Sequence, residues 1–226
     1  MLRPKKKLTK KEIKKDPVLE VIAKAEVFLR SKGKCVTYAL VGIFIVIMVI
    51  FLVIRSKHQA NYEAKGELGL AELSIVREDY DDAIVKLNKL IDNYDGTKAG
   101  GIATLLLAQC YFYKSDFDNA YLFYKKFIDK YKFDKFLTAC AYNGMGIVEE
   151  SRGNYELAAS YYKKATDISP YEFQRHEYLL NYADILIKLK QYDEAEKILS
   201  KLLEENLEKN NKDRAEVLLG KIKSAV

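Results

Sequence analysis

The chain repeats one short pattern four times after residue 60. Each copy ends in an alanine that follows an aromatic residue by three positions, and these alanines are 37, 38 and 37 residues apart: Ala83, Ala120, Ala158 and Ala195. Twelve residues before each alanine stands another small residue: Ala71, Ala108, Gly146 and Ala183. We interpret these eight as packing positions, where small side chains let the two helices of a pair cross closely.

Larger apolar residues follow each alanine at helical spacing, four and seven positions on, as in Leu87 and Leu90 or Leu199 and Leu202. Such a stripe is typical of a helix with one buried face. Residues 212–224 are predicted to form one more helix that caps the open end of the stack. The expected fold is therefore all-α, an α-solenoid of about four helix pairs with a C-terminal capping helix.

The four copies resemble the tetratricopeptide repeat (TPR), whose period is about 34 residues. Residues 153–170, GNYELAASYYKKATDISP, are similar to the second helix and closing proline of that family. The other copies lack the proline and are three or four residues longer. The resemblance implies a TPR-like solenoid, and it implies a scaffold that binds proteins without saying which ones.

A charge-free run of nineteen residues, Val36 to Ile54, precedes the repeats. A helix of that length spans about 28 Å, close to the thickness of a bilayer core. A core helix rarely lacks a polar face over such a length, and a cleaved signal peptide would have a shorter apolar region. The sequence predicts a single transmembrane helix over residues 35–55, between a basic tail (1–34) and an extracytoplasmic TPR domain (60–226).

Charge is divided unevenly along the chain. Residues 1–34 hold twelve Lys or Arg and four Asp or Glu, whereas the rest of the chain is nearly neutral. Because basic flanks remain in the cytoplasm, the N-terminus is predicted to be cytoplasmic and the repeats to lie beyond the membrane. The basicity is thus a topology signal, and no nucleic-acid partner is expected. The tail is either an amphipathic helix from Pro17 onwards or a solvated basic arm.

No enzyme motif is present, and with two His and three Cys the chain offers little for a metal site. We therefore expect no catalytic residues, no metal, no cofactor and no small-molecule substrate. Cys110 and Cys140 fall on the first helices of adjacent repeats, where they are either buried thiols or a disulfide formed in an oxidising compartment.

The TPR resemblance also implies which side chains line the inner curve and bind a partner. The predicted groove residues are Leu68, Glu72, Ile75, Leu105, Gln109, Phe112, Tyr113, Asn143, Ile147, Glu150, Leu180 and Asp184. These positions suit apolar or aromatic segments of a polypeptide, with basic residues beside them. The alternative is that the capping helix or an extra N-terminal turn covers some of them.

A basic tail, one membrane helix and an exported repeat domain together resemble the YfgM-like envelope proteins. That resemblance implies an ancillary subunit of the SecYEG translocon in the bacterial inner membrane, with its repeats in the periplasm. It implies a non-catalytic adaptor or holdase whose partners are translocon components, a periplasmic chaperone or exported clients. The alternative is a structural scaffold subunit of another envelope complex, such as a flagellar, secretion or outer-membrane assembly. A mitochondrial receptor remains open if the source is eukaryotic.

Overall fold

The computed structural model describes residues 17–225, and in that range the chain is helical with no strand. The helices are α1 Pro17–Val76, α2 Tyr80–Asn93, α3 Lys98–Tyr113, α4 Phe117–Lys130, α5 Lys135–Ser151, α6 Tyr155–Ile168, α7 Glu172–Lys188, α8 Tyr192–Leu203 and α9 Lys209–Ala225. The predicted all-α class with paired helices and a final capping helix is confirmed.

The chain divides into two compact units, one ending at Lys57 and one beginning at His58. In the first unit, α1 begins at Pro17 and departs from helical backbone angles at Lys32. The first sixteen residues of the predicted basic tail lie outside the described residues. Within the described part of the chain, Ser31–Val76 of α1 is the one stretch long and apolar enough to cross a membrane, and its most apolar window is wholly exposed.

The second unit is a stack of helix pairs. Residues 58–76 of α1 pair with α2 through Ala64, Ala71, Ala83 and Leu87, which share one buried cluster. The next pairs are α3 with α4, α5 with α6 and α7 with α8. The capping helix α9 packs against α7 and α8.

The same turn joins the two helices of every pair. Its central residue has a positive φ of 60° at Glu78, Ser115 and Lys190, and of 80° at Gly153. The amide of this residue bonds to the carbonyl three positions earlier, and the next amide bonds to the carbonyl five positions earlier. This is the Schellman arrangement, which pairs the last carbonyls of one helix before the next helix begins.

The eight small residues predicted at the helix crossings are all buried: Ala71, Ala83, Ala108, Ala120, Gly146, Ala158, Ala183 and Ala195. Gly146 has to be glycine in this packing, because a methyl group there would come within 2.6 Å of the ring of Tyr162. Gly144, which the repeat pattern did not single out, lies in the same way against the ring of Tyr124. These contacts fix the spacing between α5 and its neighbours.

Candidate functional site

A cavity of about 350 Å³ lies between α3, α5 and α7, the first helices of the second, third and fourth pairs. Its wall is formed by Leu105, Leu106, Gln109, Tyr124, Phe136, Cys140, Asn143, Gly144, Ile147, Phe173, Gln174, Glu177 and Tyr178. Four of the predicted groove residues meet here, namely Leu105, Gln109, Asn143 and Ile147. First helices of successive repeats thus supply the wall, as the TPR resemblance implies.

The polar groups in the wall are held by the protein itself. Gln174 is buried, its amide Nε2 donates to Cys140 Sγ at 3.2 Å, and its Oε1 accepts from Ser169 Oγ at 2.7 Å. Asn143 Oδ1 accepts from Asn181 Nδ2 at 2.9 Å. Burial raises the pKa of the Cys140 thiol, although its bonds to Tyr178 and Gln174 oppose that shift. These polar groups of the wall are uncharged and already hydrogen-bonded within the protein.

Three aromatic side chains, of which two are exposed and Phe136 is half-buried, form a group at one edge of the cavity. Tyr171 packs against Phe136 with ring centroids 5.9 Å apart and stacks on Phe173 at 5.8 Å. Phe173 is 55% exposed and Tyr171 53% exposed. We call Phe136, Tyr171 and Phe173 the aromatic rim. Exposed aromatic rings beside a cavity are typical of protein contact sites, where they supply much of the binding energy.

The aromatic rim is positioned by the points at which two helices, α5 and α7, begin. Asp134 caps α5 by accepting a hydrogen bond from the Leu137 amide at 3.0 Å, which places Phe136 in the first turn. Pro170 and extended backbone at Tyr171 separate α6 from α7, so that Tyr171 and Phe173 project at the start of α7. The predicted groove did not include these residues, because Phe136 and Phe173 lie in the first turns of α5 and α7 and Tyr171 directly precedes α7, ahead of the inner-curve positions. The available signal was an aromatic residue directly after Pro170.

Glu177 is the acidic group of the cavity wall. It is exposed and makes no hydrogen bond or ion pair with the described part of the chain. A carboxylate free of internal partners at an apolar site favours a cationic group on whatever binds there.

The acidic residues predicted further along the groove are already paired. Glu150 Oε1 lies 2.6 Å from Lys188 Nζ, and Asp184 Oδ1 accepts from Lys221 Nζ at 3.2 Å. Burial disfavours the charged form of Lys188, but its hydrogen bond to Glu150 and the charges of Glu150 and Asp184 outweigh that effect and raise its pKa. Glu150 and Asp184 therefore hold α5, α7 and α9 together and do not line the cavity.

Leu180 is not a surface residue, contrary to its predicted place in the groove. It is fully buried in the cluster that contains Ala215 and Leu218 of α9. The capping helix covers this position, which is the alternative that the sequence left open.

The remaining predicted groove residues lie away from the cavity. Leu68 and Ile75 are half-buried in the first helix pair, and Glu72 is exposed on α1. Phe112 packs on Phe117 with centroids 5.7 Å apart, and Tyr113 stacks on Tyr80 at 5.1 Å. Phe112 therefore packs across the turn between α3 and α4, whereas Tyr113 packs on the first residue of α2.

The described residues 17–225 contain no group of three or more His, Cys, Asp or Glu that could hold a metal. His176 is buried and lies 2.7 Å from Glu205 Oε2, which also accepts from Arg175. Burial opposes ionisation of Glu205, but these two partners outweigh it and lower the pKa of Glu205. This cluster fixes the connection between α8 and α9.

These observations define a solenoid of helix pairs in which the first helices of successive pairs line a cavity. Residues 151–210 match a model of the tetratricopeptide repeat, and residues 103–133 match a second model of that repeat. The chain therefore carries tetratricopeptide repeats, and repeats of this class serve protein–protein interaction. No curated protein matches the chain significantly.

Two solved structures share the fold. A tetratricopeptide repeat protein from Parabacteroides merdae is 15% identical with a TM-score of 0.59, and the match covers 72% of this chain and 60% of that one. The nearly identical TPR-like repeats of a Podosopora anserina kinesin light chain are 11% identical with a TM-score of 0.60, over 72% of this chain and 86% of that one. At these identities the likeness shows the fold alone.

Proposed function

We propose that this chain is a membrane-anchored adaptor whose concave cavity binds a segment of another polypeptide. The observation that carries the proposal is the cavity between α3, α5 and α7, which combines an exposed aromatic rim with the unpaired carboxylate of Glu177. A segment with an apolar or aromatic residue beside a Lys or Arg fits both features. No reacting group is needed for that role.

The anchor in this proposal is the apolar stretch of α1. An exposed helix of this length and composition is stable in lipid, where its backbone groups are paired internally and its side chains are apolar. The basic tail before it favours a cytoplasmic N-terminus. The repeats then lie on the far side of the membrane, which in a bacterium is the periplasm.

The segments available in that position are newly exported chains, which are unfolded and expose apolar residues. This supports a place at the exit of the Sec translocon, where the adaptor holds exported clients or recruits a periplasmic chaperone. The resemblance to YfgM-like envelope proteins points the same way.

The test is photocrosslinking in cells from position 173, on the aromatic rim, with identification of the products by mass spectrometry. The matched control is position 157, because Leu157 is a similarly exposed apolar residue on α6 that is not part of the cavity wall. We expect many exported chains or translocon components at position 173 and few at position 157. Equal products at the two positions would rule out the cavity as the binding site.

A second arm uses Phe173→Ala and Glu177→Lys, which change exposed side chains and should leave the fold intact. Both are expected to lower the crosslinking of clients, Glu177→Lys most for segments that carry Lys or Arg. A single stoichiometric partner in place of many chains would instead indicate a scaffold subunit of another envelope complex.

A further inference from the structure

The first helix of the solenoid has a second apolar face that nothing in the described residues covers. In residues 58–76, one face of α1 carries Ala64 and Ala71, which are fully buried against α2. The opposite face carries Tyr62, Leu73 and Val76, which are 73%, 44% and 79% exposed. The other end of the solenoid differs, because α9 covers it.

The exposed face has the spacing of a coiled-coil seam. Positions 62, 66, 69, 73 and 76 follow one another at intervals of four, three, four and three residues. This is the alternation of core positions in a helix that packs along its length against another helix. A helix exposed to water on this side has no need for such a repeat.

Gly66 and Gly69 occupy two of these five positions. A methyl group at either would have no neighbour within 4 Å, so nothing inside the unit requires glycine there. Glycine in a helix interior destabilises the helix relative to alanine. Small residues on a helix face are explained if the backbone of a second helix approaches it closely.

The charges beside the seam identify the partner. Glu72 directly precedes the core position 73, and Arg77 directly follows the core position 76. In a parallel pair, residues five positions apart in such flanking places face each other across the seam. Arg77 is the residue directly after the last residue of α1, and in a parallel pair Glu72 of one copy would face Arg77 of the other, twice by symmetry. Neither side chain has an ion-pair or hydrogen-bond partner in the described residues.

We propose that residues 62–77 form a parallel, two-fold symmetric contact with the same segment of a second copy of this chain. The proposal rests on the membrane anchor of the proposed function. Anchoring holds every copy in one orientation and confines it to a plane, so the parallel arrangement is the accessible one. Confinement also raises the effective concentration, so a contact only two heptads long is sufficient.

The test is a cysteine scan of positions 62–77 in the full-length protein in native membranes, with Cys35 replaced by serine because it is exposed. After mild oxidation we expect disulfide-linked dimers to peak at positions 62, 66, 69, 73 and 76 and to be weak at position 67. The matched control is Val85→Cys on α2, which is 68% exposed but off the seam. Two differently tagged copies, both present in the product, identify it as a homodimer.

Charge exchange provides an independent arm. Glu72→Arg and Arg77→Glu should each reduce the dimer fraction several-fold, whereas the double variant should restore it.

A crosslinked product that contains one tagged copy and a foreign protein would overturn the proposal, and so would a cysteine scan without periodicity. If the dimer is absent while client crosslinking at position 173 persists, the self-association is wrong and the proposed function stands. If the protein is extracted from membranes by alkaline carbonate, the anchor and the proposed function fail instead.

Discussion

Gly146 in α5 lies against the ring of Tyr162 in α6, and a methyl group on Gly146 would come within 2.6 Å of Tyr162 Cε1. The ring has no free space to retreat into, because Tyr162 is 1% exposed and its hydroxyl donates to Glu150 Oε2 at 2.5 Å. The absence of a side chain at Gly146 therefore sets how closely α5 and α6 approach at this crossing.

We therefore expect Gly146→Ala to lower the free energy of unfolding by about 1–2 kcal/mol, since the cost of overpacking exceeds the gain in helix propensity. The control is Gly220→Ala in α9, where a methyl group would meet nothing within 4 Å and should stabilise the protein by up to about 1 kcal/mol. Urea denaturation of the detergent-solubilised protein, followed by circular dichroism, measures both. Equal effects would show that Tyr162 can move aside.

Two turns between paired helices allow substitutions that should change thermal stability in opposite directions. Lys190 has φ of 60° and Gly153 has φ of 80°, in equivalent turns of neighbouring repeats. A left-handed residue with a side chain costs about 1 kcal/mol more than glycine. We expect Lys190→Gly to raise the midpoint of thermal unfolding and Gly153→Ala to lower it. A fall for Lys190→Gly would mean that the greater freedom of glycine in the unfolded chain outweighs the relief of strain.

The helix pairs could be predicted because their crossings demand small residues at a fixed interval. Ala71 and Ala83, or Ala183 and Ala195, lie on either side of the turn that joins the two helices of a pair, and their twelve-residue separation is visible in the sequence. The cavity could be predicted only in part. Leu105 and Ile147 follow from the inner-curve positions of each repeat, whereas Phe136 lies in the first turn of α5 and Tyr171 directly before α7, at positions outside the inner-curve set.

Burial by a later helix is the other reason that the site could be predicted only in part from the sequence. Leu180 occupies an inner-curve position, but α9 covers it, and the repeat pattern gives no position for a helix outside the repeats. The pairing of Glu150 with Lys188 could not be predicted from the sequence for a related reason. A residue's place on its helix gives the direction of its side chain, but the partner comes from the next repeat, 38 residues later.

A carboxylate in the connection between α2 and α3 should make the stability of the fold depend on pH. Asp95 accepts hydrogen bonds from Lys130 Nζ at 2.5 Å, from the Tyr131 hydroxyl and from the Gly96 amide. The bonds from Lys130 and Tyr131 are the main reason that the pKa of Asp95 is lowered to about 2.

Because the pKa is lower in the folded than in the unfolded state, the stability that Asp95 contributes is complete above about pH 4 and is lost as the pH falls towards 2. Asp95→Asn should remove this part of the acid sensitivity. The control is Asp92→Asn, an exposed carboxylate of α2 with no ion pair among the described residues. Unfolding midpoints between pH 7 and pH 2 measure the difference, and parallel curves for Asp95→Asn and the wild type would contradict the assignment.

The cysteines should differ sharply in reactivity. All three are free thiols in the structure; Cys110 is fully buried, and its burial raises its pKa to about 11. Since the thiolate is the reactive form, we expect Cys110 to resist maleimide at pH 8 until the protein is unfolded. Mass spectrometry of native and urea-treated protein measures this. A disulfide between Cys110 and Cys140 in protein isolated without reductant would contradict the structure.

A line of hydrogen-bonded polar side chains, two amides and one guanidinium, links α5, α7 and α9 at the capped end of the solenoid. Asn181 Nδ2 donates to Asn143 Oδ1 at 2.9 Å, and Asn181 Oδ1 accepts from Arg214 at 2.8 Å. Asn181→Leu would leave both partners without their bond in a half-buried site, and we expect it to lower the free energy of unfolding by about 1–3 kcal/mol.

The control is Lys221→Met, which removes the exposed contact with Asp184 between α7 and α9. It should lower the free energy of unfolding by less than about 1 kcal/mol. Limited proteolysis measures the local effect, because only Asn181→Leu should expose the connection before α9 to cleavage. If both variants are cleaved at the wild-type rate, α9 is held by its apolar face, through Leu218 and Ile222, and not by its hydrogen bond to Asn181.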